Sequence, residues 1–286
     1  MNFSIDLEGD IRLTVRRPDG SIRLRRQAKN AIDDNLKHAV ATHLFTGAAA
    51  GTYVSVDQME ITVSNGTFSD TTLTLGAGQR TPGAYECRFQ QTFTCSAVTS
   101  GSEASITDVK LESSGNTQWA SHSFTPAVDD IQASEQVTID YTLRAGTASG
   151  VSDLLRGAVA ATFYGSSTLH RVQYLVTDGL TGQNIAAVKA TPSISGYNST
   201  GGSQAADATN HTATCTNGVI VIRNNTAGGA NDAGLPSMTT ADATKAYLTQ
   251  TSATVPANDA AALAFADITN VKQNDKLDLQ FTLTIS

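Results

Sequence analysis

The chain has 286 residues, a formal net charge of −7 and a sequence pI near 5.1. This length accommodates two domains of ordinary size, and the acidic balance argues against nucleic acid as a partner of the whole protein. No run reaches the roughly 18 apolar residues of a membrane span, and the first residues lack the basic and apolar blocks of a secretory signal. Only 16% of the residues are charged, and the abundance of Thr, Ser, Ala, Gly and Asn is typical of a mainly β protein.

The first predicted element is a β-hairpin arm over residues 1–30. Apolar and polar residues alternate on both sides of the segment 17–21, whose Pro18, Asp19 and Gly20 are typical of a type I turn. The arm has seven basic and four acidic residues, so it carries +3 and the rest of the chain carries −10. We predict that it binds an acidic neighbour, and the candidate contact residues are Arg12, Arg16, Arg23 and Arg25. A solvated hairpin face without a partner is the alternative, and the lack of interleaved aromatics disfavours nucleic acid.

A first β-sandwich repeat is predicted over residues 31–147. Asn30, with Asp33 three residues later, suits the N-terminus of a short helix, and Gly47 suits its end. One apolar face of this helix is predicted by the spacing of Ile32, Leu36, Val40 and Leu44. Several short strands follow with turn residues between them, a pattern that favours a sandwich over a parallel sheet.

The longest predicted strand, over residues 84–98, places two cysteines on one face. Odd-numbered residues of this run share a side of the strand: Tyr85, Cys87, Phe89, Phe93, Cys95 and Ala97. Cys87 and Cys95 are then roughly 26 Å apart at about 3.3 Å per residue, too far for a mutual disulfide. We expect buried thiols that behave as small apolar side chains; an intermolecular disulfide is the alternative.

The second half repeats the first. The helix stripe returns at an offset of 119 as Val151, Leu155, Val159 and Phe163. Thr94-Cys95-Ser96 returns as Thr214-Cys215-Thr216 at an offset of 120, and the strand with Ile139 and Tyr141 returns with Leu279 and Phe281 at an offset of 140. An internal copy of this length predicts two similar domains. The second β-sandwich repeat is therefore assigned to residues 148–286, beginning with its own short helix.

The growth of the offset predicts an insertion of about 27 residues after Arg223. We assign it to a loop over about residues 224–262, which is turn-rich and nearly free of charge at its start. Long loops on a rigid scaffold often make contacts, so Asn225 and Asn231 are candidate partner-binding residues. An exposed flap without a contact is the alternative.

Residues with catalytic or metal-binding chemistry are scattered. The sequence has no nucleophile elbow, no phosphate-binding glycine loop and no zinc-protease motif, so we predict no enzyme, no catalytic residue, no metal and no cofactor. Asp6, Glu8 and Asp10 could hold calcium through oxygen ligands, but the wet face of an edge strand is the simpler interpretation. His38 and His43 are five residues apart on the predicted helix and are expected at the surface.

Trp119 is the only tryptophan. In a sandwich a single tryptophan usually fills the core or the space between sheets. A contact with a partner or a stacked sugar is the alternative, and Trp119 is therefore also a candidate partner-binding residue.

Several short segments resemble tailed-bacteriophage structural proteins. The run Arg16-Arg17-Pro18-Asp19-Gly20-Ser21 is followed by Asn30-Ala31-Ile32-Asp33 and a short apolar helix, as in the opening of many of those proteins. The segments 70–73, 91–94, 106–111 and 141–143 continue the likeness, which covers residues 9–144 and extends to the second half only through the internal repeat. Lys110, where the group often has glycine, and the second copy itself depart from the pattern.

The resemblance implies a virion component without catalytic residues. We therefore expect a non-enzymatic part of a tailed-phage virion, assembled in the host cytoplasm, with a neck, collar or tail-associated ring as the first assignment. Capsid decoration and an adhesin or carbohydrate-binding module of a tail fibre are the alternatives. The expected partners are other virion proteins and further copies of the chain, as a trimer or hexamer, without a membrane or nucleic acid.

Overall fold

The computed structural model describes residues 2–46, 54–99, 103–164, 172–178, 184–189, 197–198, 204–205, 212–223, 243–250, 264–267 and 280–286. In these segments the fold is mainly β with two α-helices, as the composition predicts. No helix among the described residues is long and apolar enough to cross a membrane.

The first half contains strands β1 (Asn2–Arg16), β2 (Ile22–Lys29), β3 (Ala31–Ile32), β4 (Gln58–Ser64), β5 (Gly66–Phe68), β6 (Thr72–Thr74), β7 (Arg80–Pro82), β8 (Glu86–Val98), β9 (Ala104–Glu112), β10 (Gln118–Ile131) and β11 (Gln136–Ser149). The second half contains β12 (Val172–Asp178), β13 (Asn184–Lys189), β14 (Tyr197–Asn198), β15 (Gln204–Ala205), β16 (Thr212–Thr216), β17 (Val219–Arg223), β18 (Ala243–Gln250), β19 (Ala264–Asp267) and β20 (Gln280–Ile285). The helices are α1 (Asp34–Thr46), α2 (Asp153–Tyr164) and a short 3-10 turn over Ala77–Gln79.

These strands form three sheets. A nine-stranded sheet has the order β16-β17-β20-β1-β11-β8-β5, with β2 paired to β1 and β7 paired to β8. A five-stranded sheet has the order β3-β10-β9-β4-β6, and a six-stranded sheet the order β15-β14-β13-β12-β18-β19.

The hairpin at the N-terminus lies inside the largest sheet. β1 and β2 pair antiparallel, and the turn between them has Gly20 at φ +83° with its N–H donating to the Arg17 carbonyl at 2.9 Å. β1 also pairs antiparallel with β11 over most of its length and parallel with β20 over Asn2–Ile5. The interpretation of residues 1–30 as a separate arm is therefore wrong, because the apolar face of β1 is buried within the sheet.

Apolar and polar residues alternate along the central strands, so one face of the sheet is apolar and the other is polar. Inward residues of β1, β11, β8 and β20 are almost all fully buried, which follows from the two-residue period of a strand. The five-stranded sheet and both helices contribute to one continuous core with this inner face. The buried residues include Leu13, Phe89, Tyr141 and Phe281.

The two helices begin in the same way. The Asp33 carbonyl accepts from the N–H groups of Leu36 and Lys37, and the Ser152 carbonyl accepts from those of Leu155 and Arg156 at the same spacing. The side chain of Asp33 also accepts from the Asn35 N–H at 2.8 Å. The prediction that Asn30 begins the first helix is wrong, because Ala31–Ile32 forms β3 and the capping carboxylate belongs to Asp33.

Each helix packs on strands of the opposite half of the chain. α1 contacts β16, β17 and β20, together with β10, whereas α2 contacts β7, β8 and β11. Three residues of each predicted stripe form the buried faces: Leu36, Val40 and Leu44 in α1, and Leu155, Val159 and Phe163 in α2. The fourth residue of each stripe lies outside its helix, because Ile32 belongs to β3 and Val151 precedes the start of α2. The two helices are therefore exchanged within the chain: each covers strands of the half to which it does not belong.

The strand pairs beneath the helices also match between the halves. β7 pairs with β8 through Pro82 and Cys87, and β16 pairs with β17 through Cys215 and Ile220. Cys95 lies in β8, the strand next to β11, whereas Cys215 lies in β16, which β17 separates from β20. The predicted equivalence of Cys95 and Cys215 therefore does not agree with the strand pairing.

A backbone hydrogen bond beside each strand pair repeats as well. The Ala145 N–H donates to the Tyr85 carbonyl at 2.8 Å, and the Ile285 N–H donates to the Gly218 carbonyl at 2.9 Å. These bonds link the last strand of each half to the residue between its two paired strands. The two halves therefore share this part of their backbone plan.

The second half contains a strand where the insertion was predicted. β18 lies within residues 224–262 and pairs with β12 and β19, as β9 pairs with β4 and β10. The segment predicted as an inserted loop therefore contains a strand of the six-stranded sheet.

The long strand predicted over residues 84–98 is observed as the continuous β8. Cys87 and Cys95 are buried on one face of it and all three cysteines are free thiols. Burial raises the pKa of Cys87 to about 12, so this thiol stays protonated at neutral pH.

Candidate interaction surface

The outer face of the nine-stranded sheet carries most of the charged residues of its central strands. Side chains of β2, β1, β11 and β8 that point away from the core lie in neighbouring rows, since Arg12 pairs with Gln27 and Asp140 and Asp140 pairs with Gln90. Two adjacent clefts of about 630 and 640 Å³ lie on this face. We call its charged lining the cationic face; its members are Arg12, Arg16, Arg25, Lys29, Arg88, Arg144, Asp10 and Asp140.

Two arginines of the cationic face are held by carboxylates. Arg88 donates to Asp140 from Nε at 2.9 Å and also from a terminal nitrogen, while Gln90 donates to the same carboxylate at 2.6 Å. Arg144 pairs with Asp10 at 2.7 Å and with Glu86 at 3.3 Å. These pairs fix the positions of the guanidinium groups, although as exposed pairs they add little stability.

Four cations of the cationic face form no ion pair among the described residues. Arg12 lies beside the side-chain amide of Gln27, whose oxygen can accept from two guanidinium nitrogens at 3.1 and 3.3 Å. Arg16 donates to the Gly20 carbonyl at 3.1 Å. Arg25 and Lys29 are exposed on β2; Lys29 lies opposite Asp10 of β1 in the strand register, but Asp10 is paired with Arg144.

The charge of the cationic face is opposite to that of the chain. Six cations and two carboxylates give it a formal charge of +4, within a chain of −7. The remaining residues therefore carry −11. A positive concave surface on an acidic protein favours an anionic partner and can steer its approach.

Arg23 does not join the other predicted arginines. The pairing between β1 and β2 shifts between Val15 and Arg16, and this irregularity turns Arg23 toward Glu135, with Nε at 3.0 and 3.2 Å from the two carboxylate oxygens. Glu135 is almost fully buried. The prediction of Arg23 as a partner contact is therefore corrected to a partly buried structural ion pair.

Trp119 is buried in the core rather than displayed for a partner. Its side chain is 6% exposed, and the indole Nε1–H donates to the Ser55 carbonyl at 2.8 Å. The core interpretation of the sequence is correct, and the assignment of Trp119 as a partner-binding residue is wrong because no ring face is accessible.

The remaining sequence candidates are placed as follows. Asn225 and Asn231 lie outside the described residues. Glu8 accepts from the Thr147 N–H at 3.4 Å, and Asp6 accepts from the Ser286 hydroxyl. The acidic ladder thus lies on the outer face as predicted, but β1 is an interior strand and not an edge.

His43 contradicts the prediction of a surface residue. It is fully buried in α1, and neither ring nitrogen has a hydrogen-bond partner. Burial lowers its pKa below the ordinary 6.5, because the charged form would lose its hydration. His38 is exposed as expected.

The described residues contain no group of three His, Cys, Asp or Glu side chains that could hold a metal ion. The cationic face itself offers guanidinium and ammonium donors with Thr and Gln side chains between them, which suits binding of carboxylates. The site residues predicted from the sequence do not include Arg88, Arg144 and Asp140, although their even positions beside buried odd-numbered residues place them on the polar side of β8 and β11.

Comparison with protein-family models and with curated proteins gives no match for this chain.

Proposed function

We propose that this protein is a non-enzymatic structural component of a tailed-bacteriophage virion, with a neck, collar or tail-associated ring as its place. It acts there by packing against neighbouring proteins, including further copies of itself. The observation that carries the proposal is the cationic face, a broad and shallow charged surface on an interlocked β scaffold. Such a surface suits association between proteins.

The second part of the proposal is that the two halves are homologous β-sandwich units in tandem. It is supported by the matching starts of the two helices and by the matching strand pairs beneath them. Two equivalent units per chain allow a ring of n chains to present 2n similar contacts, so a trimer can match six-fold symmetry.

The sequence resemblance supports the same class of protein. The segments that resemble phage structural proteins include the β1–β2 turn and the start of α1, which are both ordered parts of the nine-stranded sheet and its covering layer. The burial of Trp119 removes the residue on which the carbohydrate-binding alternative most depended.

Assembly and particle labelling test the proposal. We expect purified protein at micromolar concentration to give a trimer or hexamer by native mass spectrometry and closed rings by negative-stain imaging. Antibodies against the chain should label intact particles of a tailed phage that encodes it. A monomer at every concentration together with unlabelled particles would contradict the proposal.

A further inference from the structure

Three exposed carboxylates lie together where β9 begins and β10 ends. Ala104 pairs with Ile131, which brings Glu103 beside Asp130 and Asp129. A hydrogen bond with Asp130, the charge of Asp130 and desolvation raise the pKa of Glu103; Arg23 lowers it, and the charge of Asp129 adds the smallest rise. We call these three carboxylate residues the acidic cluster. Arg23 is already bound to Glu135, so the repulsion within the cluster is only partly relieved.

We propose that the cationic face of one chain binds the acidic cluster of a second copy. This inference rests on the assembly role proposed above and names the two surfaces that produce it. Arg12, Arg25 and Lys29 form no ion pair among the described residues, since the carboxylates opposite Arg12 and Lys29, Asp140 and Asp10, are paired with Arg88 and Arg144. The residues outside the cationic face carry −11. The acidic cluster of a second copy supplies carboxylates to these cations, and the cations in turn reduce the repulsion within that cluster.

The two surfaces are different parts of the molecule, so the contact is heterologous. The cationic face lies on the outer side of β2, β1, β11 and β8, whereas the acidic cluster belongs to the five-stranded sheet. A repeated heterologous contact closes into a ring when its rotation permits and otherwise forms a filament. Closure therefore gives the ring expected of a neck or tail protein.

Paired charge reversals test the contact. One variant is Arg12→Glu with Arg25→Glu, which makes the face acidic, and the other is Glu103→Lys with Asp129→Lys, which makes the cluster basic. In either variant on its own, the cationic face and the acidic cluster carry charges of the same sign. We therefore expect its self-association, measured by analytical ultracentrifugation, to be at least about tenfold weaker than that of the unmodified chain. An equimolar mixture of the two restores opposite charges at both surfaces and should recover association.

The matched control is Arg17→Glu with Lys37→Glu. It changes the net charge by the same amount as the first variant, and both residues lie outside the cationic face. Lys37 loses only an exposed pair with Asp34, which contributes little. We expect this control to assemble like the unmodified chain, and we expect assembly of the unmodified chain to weaken steeply as salt rises.

The outcomes separate this contact from the assembly role itself. Normal rings from either reversal variant, or a mixture that stays dissociated, would overturn the contact while leaving the assembly role intact. A chain that stays monomeric at low salt and is missing from particles would overturn both. Preferential binding of a short DNA duplex that displaces the second copy would overturn the assignment of the occupant.

Discussion

At the scale of single residues, Gly9 shows how a missing side chain permits a buried contact. A Cβ built at Gly9 would lie 1.6 Å from Oδ1 of Asn30, and the Asn30 N–H donates to the Gly9 carbonyl at 3.1 Å. Asn30 lies near the buried hydroxyl of Tyr141, where it partly opposes the rise in the pKa of Tyr141 caused by burial. Glycine at position 9 therefore makes room for the buried amide oxygen of Asn30.

Gly9→Ala should lower the free energy of unfolding by about 1–3 kcal/mol, because Asn30 must leave its position. Urea denaturation followed by circular dichroism measures the change. Gly78→Ala is the matched control, since nothing lies within 4 Å of a Cβ at that position, and it should have little effect. Addition of Asn30→Ala to the first variant should recover part of the loss; equal stability of both glycine variants would refute the steric account.

His43 should make the protein less stable in mild acid. Its folded-state pKa lies below 6.5, so the unfolded chain binds a proton first as the pH falls, and stability present above the unfolded pKa is lost below it. We expect His43→Leu to lose less stability than the unmodified protein between about pH 7.5 and pH 5. Parallel denaturation curves at the two pH values measure this difference; identical losses in both proteins would show that the histidine has no part in it.

At the scale of elements, the exchanged helices hold the two halves together. The buried stripe of α2 covers β8 and β11, which precede it, whereas α1 covers strands that come much later in the chain. Thr42 of α1 and Cys215 of β16 approach to 3.9 Å between Oγ1 and Sγ. This contact joins residues 173 positions apart.

Thr42→Cys should form a disulfide with Cys215 under mild oxidation, since the side chains of Thr42 and Cys215 are in contact and small rotations can bring two sulfurs to bonding distance. Non-reducing electrophoresis should show a faster-migrating monomer, and adding Cys215→Ser should abolish it. A disulfide-linked dimer would instead mean that the helix is exchanged between chains and not within one.

The apolar stripe of α2 should carry most of its stabilising contribution. Leu155 is fully buried, whereas its neighbour Leu154 is 51% exposed. Leu155→Ala should reduce stability by about 2–5 kcal/mol through the lost burial and the cavity, while Leu154→Ala should change it by less than about 0.5 kcal/mol. Calorimetry of both variants compares the two, and similar melting temperatures would contradict the packing described here.

The sequence predicted which face of each helix or strand is buried better than it predicted which elements lie side by side. Leu36, Val40 and Leu44 recur at every fourth residue, and Cys87 alternates with Arg88. Each of these patterns determines which side of its element is buried. Neither pattern states which strand lies alongside, so the pairing of β1 with β20 and the exchange of the helices could not be read from it. Arg23 was misplaced because a local irregularity in pairing changes the face of one residue without any change in residue type.

At the scale of the whole molecule, the two halves are not independent. β1 lies between β11 of the first half and β20 of the second, and each helix covers strands of the other half. The structure therefore predicts one cooperative unit in its described part.

Fragments 1–150 and 151–286 should depend on each other for folding. Each alone would expose the apolar strip that the helix of the other covers, so we expect neither to show a cooperative thermal transition. Co-expression should give a soluble complex that a tag on one fragment retains. Two fragments that each unfold cooperatively when alone would show that the exchange is dispensable.

The exchange of α1 also has a consequence for biosynthesis. Leu36, Val40 and Leu44 leave the ribosome long before β17 and β20, the strands that cover them, are translated. At about 5–20 residues per second the nascent chain carries this apolar stripe without the cover of β17 and β20 for many seconds. We expect it to be a binding site for a ribosome-associated chaperone during translation, and the release of that chaperone to follow emergence of the last strand.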